Sequence, residues 1–194
     1  MAKNTLSHHD RYVRSIMENP KAIGEFLTHY IPENVRSVMD LDHVVLQKDS
    51  FIDDKLRLKT ADLLYQTKFN GSDGFLYVLM EHASTPDKML PFRLLKYMTA
   101  IQDHHLKQNK TKVLPFVYPI VLYTGNKKYP HSMDLFTLFG DGADLARETY
   151  ANPYHLVDLT EIPDAALKAQ LWFGTMSLVA KHIHDPNFLP FLKE

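Results

Sequence analysis

Residues 60–86 read "TADLLYQTKFNGSDGFLYVLMEHASTP", and this stretch constrains the fold more than any other. Two runs dense in Leu, Tyr, Phe and Val flank Asn70-Gly71-Ser72-Asp73-Gly74, the turn chemistry of a β-hairpin. Strands are expected near 60–69 and 75–83. Successive strand side chains alternate between faces, so Tyr77, Leu79, Glu81 and Ala83 share one face and His82 takes the other. On the first strand Asp62, Leu64, Gln66 and Lys68 share a face. Closing the hairpin brings Asp62 and Glu81 together at the end far from the turn. A hard divalent cation such as Mg²⁺ takes one or two carboxylates plus waters. The same arrangement can stabilise the attacking and leaving oxygens of a phosphodiester displacement. The ordinary alternative is a pair of strand-end acids that face solvent or meet Arg57 or Lys59.

The rest of the chain builds layers around that hairpin. Tyr12, Val13, Ile16 and Met17, then Ile23, Phe26, Leu27 and Tyr30, fall at helical spacing on either side of Pro20. A strand is expected around Val44–Leu46. Met89, Phe92, Leu95, Met98 and Ile101 mark an amphipathic helix beginning near Pro86, with Ser84 and Thr85 as its caps. "VLPFVYPIVLYTG" reads as a strand buried on both faces. A short strand is expected at His155–Asp158, and "DAALKAQLWFGTMSLVAKHIHDP" as one helix stopped by Asp185-Pro186. The pattern is α/β, a single domain with a mixed central β-sheet flanked by helices.

Composition excludes several classes of function. With 194 residues, 45% of them hydrophobic, the chain can build one real core. No apolar run reaches bilayer-spanning length, and "MAKNTLSHHDRYVRSIM" lacks a secretory signal. Cysteine is absent, which removes disulfides and thiolate zinc sites and fits a reducing, cytoplasmic location. The eleven histidines offer no i, i+4 pair for zinc on one helical face. A formal net charge of −1 means that nucleic-acid binding must come from a local basic surface. Lys88, Arg93, Lys96, Lys107, Lys110 and Lys112, with Lys127 and Lys128, are the candidates for a phosphate-facing edge; solvated lysines are the plainer explanation.

The stretches "SFIDDKLRLKTADLLYQTKF", "LYVLMEHASTPDKMLPFRLLKYM" and "YPIVLYTG" resemble the Rpn family of recombination-promoting nucleases, also described as YhgA-like transposases, within the PD-(D/E)XK nuclease superfamily. The resemblance runs from about His9 to about Pro163, and the joint pattern "ADLLY … LMEHxST … FRLLKY … PIVLYTG" is far more specific than a pair of acids. It implies a restriction-endonuclease-like core over residues 1–194, shortened at the C-terminus relative to the family. The activity implied is Mg²⁺- or Mn²⁺-dependent endonucleolytic cleavage of DNA that promotes recombination. Carried over, the catalytic, metal-holding acids fall on Asp62 and Glu81, with Asp10 of the first helix as a further acid that can join the site. DNA would meet Lys88, Arg93, Lys96, Lys127 and Lys128.

One catalytic position departs from the pattern. The Lys or Gln that orients the attacking water falls on Ala83, and a methyl group cannot do that work. Loss of a positioned polar group of this kind costs about two or three orders of magnitude in rate. Arg93, Lys96 and Gln102 on the following helix are substitutes to consider, each of which reads equally well as solvated helix face. Asp53 and Asp54, before the hairpin, read as a solvated turn. The expectation is weak or absent cleavage by the chain as written. The alternative is a catalytically degenerate DNA- or protein-binding remnant of the same fold.

Overall fold

The structure is a computed structural model and describes residues 8–47, 62–81 and 86–184. The chain divides into two compact units, Met1–Ala143 and Asp144–Glu194. The first is a mixed α/β unit. It begins with helices α1 (His8–Met17), α2 (Pro20–Tyr30) and α3 (Glu33–Arg36), followed by strand β1 (Val45–Leu46). Then come β2 (Leu63–Phe69), β3 (Ser72–Glu81), α4 (Leu90–Asn109) and β4 (Phe116–Tyr123). Asn19 ends the break between α1 and α2 by capping α2, its side chain accepting from the amides of Lys21 and Ala22, with Pro20 in the first turn.

The four strands form one sheet in the order β1-β2-β3-β4, with β1–β2 and β2–β3 antiparallel and β3–β4 parallel. The parallel pair needs a long crossover, which α4 supplies. The expected hairpin is present, but its turn is tighter than the five-residue span suggested. Pairing runs on to Phe69↔Ser72, leaving a two-residue loop, Asn70-Gly71. Both loop residues have positive φ, 49° and 79°, the type I′ geometry that follows the twist of the flanking strands. Ser72, Asp73 and Gly74 therefore belong to β3. Gly74 is paired on both sides in the sheet, and it is glycine because a side chain there would run into the Phe69 ring and the Phe116 backbone.

Period-two alternation divides the core between the two faces of the sheet. Leu63, Tyr65, Phe69, Leu76 and Val78 pack with Met17, Ile23 and Leu27 from α1 and α2. Leu64, Phe75, Tyr77 and Leu79 pack with Leu90, Leu94, Tyr97 and Ile101 of α4. The hairpin is thus the central layer of an α/β/α arrangement, and between Asp62 and Leu79 only Gln66, Lys68 and residues 70–73 around the turn are not buried.

Four expectations change. β4 occupies an edge of the described sheet, and among its residues only Val117 is fully buried. Its apolar run is therefore half-covered on both faces, and Pro119 is tolerated because an edge strand can lack a ladder donor. Residues 153–158 form no strand; a short apolar run is a weak signal without a neighbour to pair with. The expected final helix is two helices, α6 (Asp164–Lys168) and α7 (Trp172–His182), after α5 (Ala143–Ala151). α6 and α7 are tied by Asp164, which takes Lys181 Nζ at 2.9 Å on one oxygen and meets His182 Nε2 at 2.9 Å on the other. Helix α4 also starts later than expected, at Leu90; Ser84 and Thr85 lie outside the described residues.

Candidate active site

Asp62 stands immediately before β2, whose first pair is Leu63↔Val78. Continuing that register sets Asp62 level with Leu79, two positions before Glu81, the last residue of β3. The two acids thus lie on adjacent strands as diagonal neighbours, a relation in which Cα atoms are about 7–8 Å apart. Glu81 is also in register with Tyr123 of β4. The side chain of Glu81 lies outside what the structure describes, as does that of Asp10, whose backbone is in α1. Ala83 falls outside the described residues altogether, as do Asp53 and Asp54.

Asp62 is only 2% exposed. A carboxylate taken out of water must be compensated, and Tyr77 contributes: its hydroxyl donates to Oδ2 of Asp62 at 2.8 Å. Tyr77 is opposite Leu64 in the hairpin, on the face that packs against α4. Burial pushes the Tyr77 phenol far above its ordinary value, and the charge and hydrogen bond of Asp62 push it further, with Arg93 pulling modestly the other way. The phenol is therefore a proton donor at any ordinary pH. Tyr97 on α4 is raised for similar reasons, burial first and Asp62 second. The Asp62 carboxyl, two buried phenols and the Arg93 guanidinium thus share one region between the hairpin and α4.

Asp87 organises the entrance to α4. Its Oδ2 accepts from Arg93 Nη1 at 2.9 Å and its Oδ1 from the amide of Met89 at 2.8 Å. Its carbonyl accepts from the Tyr129 hydroxyl at 2.9 Å, and the Pro86 carbonyl meets His131 Nε2 at 3.2 Å. The backbone that follows residue 85 is therefore pinned both to α4 and to the loop after β4. The sequence pattern gives Tyr77 a face but no role, and it singles out nothing at Asp87. The available signal for Tyr77 was its shared parity with Leu79 and the hairpin register, which together bring its hydroxyl to Asp62.

The other candidates are distributed as follows. Arg93 is ion-paired with Asp87 and its side chain is only 19% exposed, so it braces the fold more than it meets solvent. Gln102 Nε2 donates to the Pro115 carbonyl at 3.2 Å. Lys96 is exposed and lies 5.9 Å over the Phe92 ring. Lys88, Lys127 and Lys128 are exposed. Lys107 pairs with Asp103 at 2.6 Å along α4. Among the described residues no three His, Cys, Asp or Glu side chains gather into a metal-binding group, and no helix is long and apolar enough to cross a membrane.

The class so defined is a mixed α/β fold whose central hairpin buries a carboxylate at the end of one strand and ends its partner strand on a glutamate. Its membership is plain from comparison: the chain belongs to the family described as "Putative transposase, YhgA-like", whose model matches residues 7–194. It is 31% identical over 191 residues to the recombination-promoting nuclease RpnD of Escherichia coli O157:H7, covering 98% of this chain and 73% of that protein. It is 33% identical over 187 residues to the recombination-promoting nuclease RpnC of Escherichia coli strain K12, covering 96% of this chain and 62% of the relative. A third relative from strain K12, the inactive recombination-promoting nuclease-like protein RpnE, is 32% identical over 186 residues, covering 95% of this chain and 62% of its own length. The chain thus spans about two thirds of the length of these relatives. No solved structure matches it.

Proposed function

We propose that this chain carries the nuclease core of a recombination-promoting DNA endonuclease of the PD-(D/E)XK type, with Asp62 and Glu81 as holders of a Mg²⁺ or Mn²⁺ ion. The observation that carries the reading is the buried Asp62, fixed by Tyr77 at the strand end one diagonal step from Glu81. The donor set suits a hard cation, which needs only one or two carboxylates and completes its shell with water. When bound, such an ion supplies charge stabilisation to the oxygens of a phosphodiester under attack. Asp62 and Glu81 would hold it, and Tyr77 keeps the Asp62 carboxylate in one orientation. Exposed Lys88, Lys96, Lys127 and Lys128 are available for phosphate contacts, which supply most non-specific affinity for DNA; the partly buried Arg93 is committed to Asp87.

Ala83 favours a second reading, a binding module of the same fold that has lost turnover, and one relative carries "inactive" in its name. Mn²⁺ titration and plasmid nicking with and without Mg²⁺ separate the two. Asp62→Asn and Glu81→Gln should each weaken Mn²⁺ binding; binding like the parent's in both variants would remove the site assignment. Ala83→Gln should raise Mg²⁺-dependent nicking by about two orders of magnitude or more, and Asp62→Asn should abolish that gain. No gain, with metal binding intact, leaves the binding module as the function.

A further inference from the structure

We propose that Tyr77 is the positioning residue of the metal centre, holding the Asp62 carboxylate in the orientation from which it binds the cation. The inference rests on reading Asp62 as a metal ligand and adds a second residue on which its affinity depends.

Three observations support it. Tyr77 is opposite Leu64, and Asp62 precedes Leu64 by two residues, so the pair is a diagonal cross-strand neighbour on one face. The 2.8 Å bond between them lies in the core, with Tyr77 0% exposed and Asp62 2%. The Tyr77 ring is itself fixed, packed with Leu64, Leu79 and Leu94 and tilted against Tyr97 at 5.5 Å between centroids. A carboxylate has about four lone-pair sites, so a phenol on Oδ2 is compatible with coordination by the same group.

Replacing both partners of a buried hydrogen bond by apolar groups of similar shape is close to neutral. A phenylalanine at 77 would fill the ring's space but would take this donor from the buried Oδ2 of Asp62. An outer partner that orients a metal ligand is worth about 10–100-fold in metal affinity.

The test uses the full chain and Mn²⁺ alone, followed by the electron paramagnetic resonance signal of free Mn²⁺, well below the melting temperature of each variant. Tyr77→Phe should weaken Mn²⁺ binding by about 10–100-fold, and should cause no further weakening in an Asp62→Asn background. Tyr97→Phe, which removes the neighbouring hydroxyl, should leave affinity within about twofold. If Asp62→Asn weakens binding while Tyr77→Phe binds like the parent, the role of Tyr77 is refuted and the metal site stands. If Asp62→Asn itself binds like the parent, the metal site is refuted and Tyr77 with it. If Tyr77→Phe does not fold, the tyrosine ultraviolet band of the parent serves instead. A Mg²⁺-induced change that Asp62→Asn abolishes supports the role, and no change in the parent overturns it.

Discussion

Gly74 lies inside β3, paired with Thr67 on one side and Phe116 on the other. A Cβ added there would run into Cδ2 of Phe69 and sit 2.9 Å from the Phe116 carbonyl oxygen. The Phe69 ring cannot move freely, being buried and set edge-on to Phe116 at 4.9 Å between centroids. Overpacking of this kind costs about 1–3 kcal/mol. Replacing glycine also restricts the unfolded chain, which offsets about 0.4–1 kcal/mol. Gly74→Ala should therefore lose about 1–2 kcal/mol net, or about 2–8 °C of melting temperature for a chain of this size. Urea unfolding followed by circular dichroism measures the loss. In a Phe69→Leu background the ring is gone and the penalty should shrink, a coupling of at least about 0.5 kcal/mol between the two sites. A Gly74→Ala variant as stable as the parent, or one whose cost is the same with Leu at 69, would refute the clash and with it the tight packing of the hairpin against β4.

Two further outcomes follow from buried or shared polar groups. Tyr65 donates its hydroxyl to the Met17 carbonyl at 2.6 Å, fastening the end of α1 to the sheet, and its phenol is pushed up by burial, so it remains a donor across the working pH range. Tyr65→Phe should cost about 1–3 kcal/mol in urea unfolding, because the Met17 carbonyl stays buried without this bond; no measurable cost would mean that water reaches it. In the second unit the hydrogen bond from Lys181 holds the Asp164 carboxyl below its ordinary value, with His182 adding to the effect. Since the folded value is the lower one, the link contributes fully above the ordinary carboxylate range and is lost as pH falls through the lowered value. Asp164→Asn should be less stable than the parent near neutrality and equal to it in strong acid; a difference that persists at low pH would show that the link is not ionic.

Much of this protein was legible in one dimension because its main signals are local. The Asn70-Gly71 dipeptide and the period-two runs around it specify a hairpin, and parity puts Tyr77 and Leu79 on a common face, which the two-residue turn and its register extend to Leu64. The break at Pro20, the long helix after the hairpin and the mixed sheet follow from equally short-range patterns. The motifs were enough for the family, which the match over residues 7–194 bears out. What only the tertiary structure decided depends on which elements meet. An apolar run such as Phe116–Tyr123 reads the same at a sheet edge as at its centre, and only the strand order makes it an edge. Gly74 reads as turn until the Phe69 ring is seen to occupy the space of its missing side chain. Arg93 reads as a phosphate contact until its pairing with Asp87 is known. Asp62 reads as a strand-end acid, and its burial against Tyr77 is a property of register and of the helix packed above it. Local pattern determines which backbone forms; the energy of a charge, a ring or an absent side chain is set by neighbours distant in sequence.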